Sequence, residues 1–374
     1  MDSKEAMEIY NDLRLRSSKF LLANGMQHSP LMPHARLRPF SRSRKSHPNE
    51  EIFPSEGTGI PKGILYHFTG GRSGIKSLRW GNDARWGNTV SSWHATIFDG
   101  LSVGLVADYW DRVSSDLKKI FPAPVIINAG WFMGTYHGGP LMNAHTLGFE
   151  AVNSGMYDAN NIHRRIRGKA LVPYGDYLWE PYTGSQLTSI VNLSILANSL
   201  FNLNKNYILG HQCVCAIKSD PGPSFPIHSI RDFTINSDDF LEQGTLLSPC
   251  DTNSEDGSYM DEEDEWFEPS RDFRGDYYDA VIPVSQSSAD KNSKSVYYEK
   301  VKTGLMYLGF CVSGKESDMV RNIKWFQSST HDWKTSKKYR HYRPLKVDGI
   351  AGRRTIDALN LRFKQLGLSY RSAL

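Results

Sequence analysis

The 374-residue chain is poor in cysteine: Cys213, Cys215, Cys250 and Cys311 are all it has. Their scatter does not fit a disulfide framework, so a stapled secreted scaffold is excluded and reduced thiols are expected. No run approaches the ~20 apolar residues of a membrane helix, so no membrane span is expected. Signal-peptide features are also missing: Phe20-Leu21-Leu22-Ala23 is too short for an apolar h-region. The expectation is synthesis in a cytoplasm. A target outside it would need another agent to deliver the protein. Acidic residues are absent from Arg14 to Lys45, whereas from Asp251 to Asp279 only Arg271 and Arg274 oppose the acids. A net charge of +4 therefore hides separate basic and acidic stretches, and basic stretches favour anionic partners.

What is present is enough apolar residue, 39%, to build a sizeable core, and a length that suits two or three modules at roughly 100–200 residues each. Residues 1–25 carry Met7, Tyr10, Leu13, Phe20 and Leu21 at near-helical spacing. Pro30, Pro33, Pro39, Pro48, Pro54 and Pro61 then break the pattern, and residues 26–60 read as an extended basic arm, a tether or docking segment. Short apolar runs at Gly63–Phe68, Val90–Phe98, Val125–Ala129 and Thr146–Val152 read as strands. Asp99-Gly100 closes the second as a hairpin-type dipeptide. Leu187–Asn202 reads as a core helix, and Tyr207–His211 as a short strand running into a loop. This order predicts an α/β domain over 61–240, a mixed central sheet flanked by helices. Residues 241–292 read as an acidic linker, because a block such as Asp261–Glu265 repels itself. The glycine of Asp251–Gly257 falls one position late for a calcium loop. Residues 293–374 read as a small three-helix domain: Val296 to Leu308, Val320 to Phe326, and a third helix from Thr355.

The strongest chemical constellation is Gly210-His211 followed by Lys218-Ser219-Asp220-Pro221-Gly222-Pro223. Imidazole and carboxylate both suit zinc, and a catalytic site takes three protein ligands and keeps one position open. His67, at the end of an early strand, fits as the third. Each residue has a bland alternative: a structural histidine, a simple turn, a solvated lysine. Joint order and spacing carry the reading. Cys213 and Cys215 lie close enough to His211 to leave a thiolate ligand open.

The run His211…Lys218-Ser-Asp220-Pro-Gly-Pro resembles the C-terminal signature of zinc N-acetylmuramoyl-L-alanine amidases, as found in phage endolysins and bacterial wall-recycling enzymes. Leu65-Tyr66-His67-Phe68-Thr69 resembles that family's first ligand strand, Val90–Gly100 its second hairpin, and Asn143–Asn153 the strand with its catalytic glutamate. The resemblance spans residues 60–235, with the pieces in the family's order; Leu101–Gly139 departs from its pattern. It implies that His67, His211 and Asp220 bind Zn²⁺. Glu150 is implied as general base toward the attacking water, and Lys218 as the group that stabilises the oxyanion. The bond cut would join N-acetylmuramic acid to L-alanine in bacterial peptidoglycan. His94, His137 and His145 remain as spare histidines.

Val347-Asp-Gly-Ile-Ala-Gly352, with Thr355 and Ala358-Leu359, resembles the three-helix peptidoglycan-binding domain. Leu308-Gly309-Phe310 and Lys324-Trp325-Phe326-Gln327 match its first two helices, while Ser328–Pro344 is longer and more basic than usual. The expectation is a wall-degrading phage lysin acting on the cell wall or in the periplasm. The basic arm would serve to dock on a virion or secretion machine, and no nucleic acid is expected as a partner. The alternative is a non-catalytic peptidoglycan-recognition protein, or a structural virion component, with an amidase-like fold.

Overall fold

The computed structural model describes residues 1–26, 38–39, 60–71, 74–82, 93–99, 104–131, 133–134, 145–158, 165–166, 169–174, 177–243, 245, 301–302, 304–306, 308–310, 316–334 and 342–366. Helix α1 (Ser3–Ala23) opens the chain, and Asp2 caps it by accepting from the Lys4 and Glu5 amides, both at 2.8 Å. The short β1 (Arg38–Pro39) is followed by β2 (Gly63–Phe68), α2 (Gly74–Asn82) and β3 (Ala95–Ile97). Next come α3 (Leu105–Asp111), α4 (Ser115–Ile120), β4 (Val125–Ile127), β5 (Met133–Gly134) and β6 (Thr146–Ala151). Strands β7 (Met156–Asp158), β8 (Arg165–Ile166), β9 (Lys169–Ala170), β10 (Val172–Tyr174) and β11 (Tyr177–Trp179) lead to the long helix α5 (Gly184–Phe201). Then come β12 (Ile208–Gly210), the one-turn α6 (His211–Val214) and α7 (Ile227–Asn236). Helices α8 (Glu316–Ser329) and α9 (Arg353–Gln365) follow.

The central sheet has the order β12-β2-β6-β3-β4; its first four strands are parallel and β4 runs antiparallel to β3. This is the mixed sheet that the sequence predicts. Side chains alternate faces along each strand, and both faces are buried, as in parallel sheets generally. Ile64, Tyr66, Ile208 and Phe149 pack on one side with Leu187, Ile190 and Val191 of α5 and with Ala6, Tyr10 and Leu13 of α1. Leu65 and Leu209 face the other way, in a second core with Trp179, Cys213, Leu305, Phe326 and Leu359.

Three local readings differ from the structure. The sequence groups residues 1–25 with the basic arm, yet α1 packs on β4 and α5. There Ser17 Oγ accepts from the Ile127 amide at 3.0 Å and Tyr10 Oη from the Trp131 amide at 2.9 Å, so α1 satisfies amides at the sheet's edge strand and just beyond it. Asp99-Gly100 does not turn directly into a partner strand: β4 reaches β3 only after α3 and α4, and the Asp99 carboxylate is buried 3.6 Å from Lys169 Nζ. His211 begins a helical turn rather than a loop. In the C-terminal part, helical residues at 301–302 and 304–306, α8 and α9 fall where three helices are predicted. His137, the Asp251–Gly257 motif and most of the arm and linker lie outside the described residues.

Candidate metal centre and active site

Strand register brings the site together. Gly210 pairs with Tyr66 across β12 and β2, His67 pairs with Glu150 across β2 and β6, and Glu150 pairs with Thr96 across β6 and β3. His211, one residue past Gly210, therefore falls beside His67, and in parallel strands paired residues project from the same face. His67, Glu150 and Thr96 form one row across the C-terminal ends of the strands, with His211 at its end. The loop after α6 folds back to add Asp220. Its backbone is tied down by the Gln212 amide donating to the Asp220 carbonyl at 2.8 Å, and by Tyr182 Oη donating to the Pro221 carbonyl at 2.8 Å. Gly222 sits at φ +84°, where a Cβ would lie 2.4 Å from Trp179 Cζ3. Both the left-handed backbone and the close approach require glycine there.

Asp220 Oδ2 lies 2.9 Å from His67 Nδ1 and 3.0 Å from His211 Nδ1. The imidazole rings meet edge to face at 4.5 Å, all three side chains are buried, and their ligand atoms lie within 4.8 Å of one another. Burial, then the nearby His211, holds the His67 pKa down to about 4, against the pull of Asp220. Its imidazole is thus neutral near pH 7, the form that binds a metal. Burial pushes Asp220 up, but His211 and then His67 outweigh it and hold the carboxyl well below its ordinary range. Two imidazole nitrogens and a carboxylate oxygen, buried within 4.8 Å of one another, fit a zinc ion.

Glu150 stands one strand away from His67, partly buried. Its Oε2 is fully covered and makes no hydrogen bond to any described residue. Burial, and then the charge of Asp220, push its pKa well above the ordinary value, with Lys218 pulling the other way. Lys218 itself is exposed at the rim, close enough for its charge to lower the pKa values of both His67 and Glu150. Of the five sequence-selected residues, His67, His211 and Asp220 come together, Glu150 lies on the strand beside His67, and Lys218 acts on both His67 and Glu150 through its charge. Cys213 turns away: its thiol is buried, donates to the Leu308 carbonyl, and has its pKa pushed up to about 12 by burial. His94 is spent on structure, accepting from the Gly148 amide at 2.8 Å. His145 is buried at the start of β6, outside the metal group.

Sequence reasoning missed the support behind this row. Lys169 is paired with Glu180, whose other oxygen accepts from the Ser154 amide at 2.6 Å and so anchors the turn after the Glu150 strand. All three ionic partners, Asp99, Lys169 and Glu180, are buried. A lone lysine 19 positions past Glu150 carries no local signal of this role.

Fold and site together define a mixed α/β protein with a buried His-His-Asp group of metal-ligand type and a carboxyl group beside it. Residues 57–223 match the family model of N-acetylmuramoyl-L-alanine amidase, a span that contains all five site residues. The match covers somewhat less than half of the chain. Among solved structures, it is similar to the N-acetylmuramyl-L-alanine amidase AmiD from E. coli in complex with a muramyl-peptide substrate. The two share 15% identity over 88% of this chain and 94% of that one, with a TM-score of 0.37. It is also similar to AmpDH3 from Pseudomonas aeruginosa, at 13% identity over 87% and 96% of the two chains and a TM-score of 0.38. No match to a curated protein was found.

Proposed function

We infer that the protein is a zinc-dependent hydrolase that cleaves the amide between N-acetylmuramic acid and L-alanine in bacterial peptidoglycan. The observation that carries this reading is the convergence of His67, His211 and Asp220 beside the uncommitted Oε2 of Glu150, inside the segment that matches the amidase family. His67 Nδ1, His211 Nδ1 and Asp220 Oδ2 would hold the metal. Bound zinc supplies Lewis acidity and makes water nucleophilic near neutral pH. Glu150 Oε2 accepts a proton from the attacking water and returns it to the departing L-alanine nitrogen; its raised pKa suits both transfers. The Lys218 ammonium reaches from the rim to the oxygen on which negative charge develops.

In this reading the C-terminal helices bind the wall. The basic arm of residues 26–60 docks the protein on a virion or secretion machine, as a phage lysin acting on the wall or in the periplasm would require. The test is muropeptide analysis of purified walls, with and without a chelator. Free stem peptides, lost on chelation, are expected. Cut glycan strands or cut cross-bridges would replace the reading with another hydrolase, and intact walls with bound protein would leave a recognition protein.

A further inference from the structure

The segment from His211 to Asp220 has the C-terminal helices at its back. Arg362 of α9 is 1% exposed, and its guanidinium donates to the carbonyls of Lys218 and of Gln212, the latter at 3.5 Å. These carbonyls bracket the loop: Gln212 follows His211, and Lys218 stands two residues before Asp220. The same stretch is held twice more, by the Ala216 amide donating to the Ser329 carbonyl at 3.1 Å and by the Cys213 thiol donating to the Leu308 carbonyl. Because the Gln212 amide also donates to the Asp220 carbonyl, a displacement at Gln212 passes to Asp220. Both hydrogen bonds leave the same nitrogen, Nη2, which a planar guanidinium holds in a fixed direction better than a flexible stem holds an ammonium.

We propose that Arg362 is a positioning residue for the amidase reaction: it sets the backbone of residues 211–220, so that Lys218 meets the developing oxyanion and Asp220 keeps its place between the histidines. The C-terminal helices are then part of the catalytic unit and not solely a wall-binding appendage. The proposal rests on the amidase reading above.

Full-length Arg362→Ala, Arg362→Met and Arg362→Lys test it, through zinc content, kcat and KM on a soluble muramoyl-peptide, and amide hydrogen exchange. The Ala and Met variants should lose about tenfold or more in kcat, the scale of a small misplacement of reacting groups, with KM within about twofold. Zinc should stay stoichiometric, exchange should quicken across residues 211–220, and Arg362→Lys should recover part of the kcat. Met keeps much of the stem, so the test survives if the Ala variant does not fold. An unchanged kcat in a folded Ala or Met variant overturns the proposal, as does a loss of kcat without faster exchange in the loop. A parent protein that releases no stem peptides would sink the amidase reading instead, and the exchange comparison would still decide whether Arg362 orders the loop.

Discussion

At the residue scale, Glu150 combines the proposed proton transfer with a cost to stability. Its pKa is raised in the folded chain, mainly by burial, so the folded state holds the proton more tightly than the unfolded one. Stability from this group is full below the ordinary carboxyl pKa and is lost as pH rises through the folded value. Glu150→Gln should therefore abolish stem-peptide release, keep zinc, and make the chelator-treated protein more stable than the parent at pH 7–8. A gain of about 1–2 kcal/mol, roughly 2–6 °C in Tm, is expected, shrinking toward pH 4. Melting curves over that range check it; a variant that still hydrolyses walls would remove Glu150 from the mechanism. His67 has the opposite sign. Its pKa is lowered to about 4, so its contribution is full above about 6.5 and fades as pH falls through about 4. His211→Ala removes one of the two nitrogens beside Asp220 Oδ2, and zinc content after dialysis should fall from stoichiometric to near zero. Full retention would contradict the ligand set.

At the element scale, α1 behaves as part of the sheet's edge. Ser17→Ala should leave the Ile127 amide without its acceptor and cost about 1–3 kcal/mol, read as a lower urea midpoint with unchanged slope. An unchanged midpoint would detach α1 from the edge strand. The sequence showed α1 as an amphipathic helix, because Tyr10 and Leu13 recur on one face, but not what that face covers. The strands around the site were legible for a similar reason: Gly63–Phe68 and Thr146–Ala151 are short apolar runs. His67 and Glu150 close their ends in an order that the amidase signature shares. What stayed illegible was pairing at long range. Cys213 was open as a metal ligand because it lies two residues from His211, whereas its thiol meets a carbonyl 95 positions away. Asp99-Gly100 looked like a local turn because Lys169, its buried ionic partner, is 70 positions on.

At the scale of the whole molecule, the acidic stretch separates two predicted domains, and among the described residues one apolar cluster draws on side chains from both sides of it. Leu65 and Leu209 of the sheet, Cys213 two residues past His211, and Leu305, Phe326 and Leu359 of the C-terminal helices form a continuous apolar cluster. Arg231 of α7 adds a polar tie, donating to the carbonyls of Ile208 in β12 and Gly309. A shared core makes the stability of the metal loop depend on side chains far from it in sequence. Phe326 is 2% exposed in that cluster, and Phe326→Ala should cost about 3–5 kcal/mol as a cavity in a packed core. Because β2 and β12 line the same cluster, the loss should not stay in the C-terminal helices. Calorimetry of the variant should show one transition moved to lower temperature, with zinc release and loss of tryptophan burial moving together. Two transitions, with the zinc-bearing one at its original temperature, would show instead that the amidase segment folds alone and that the contacts behind His211 are a weak interface.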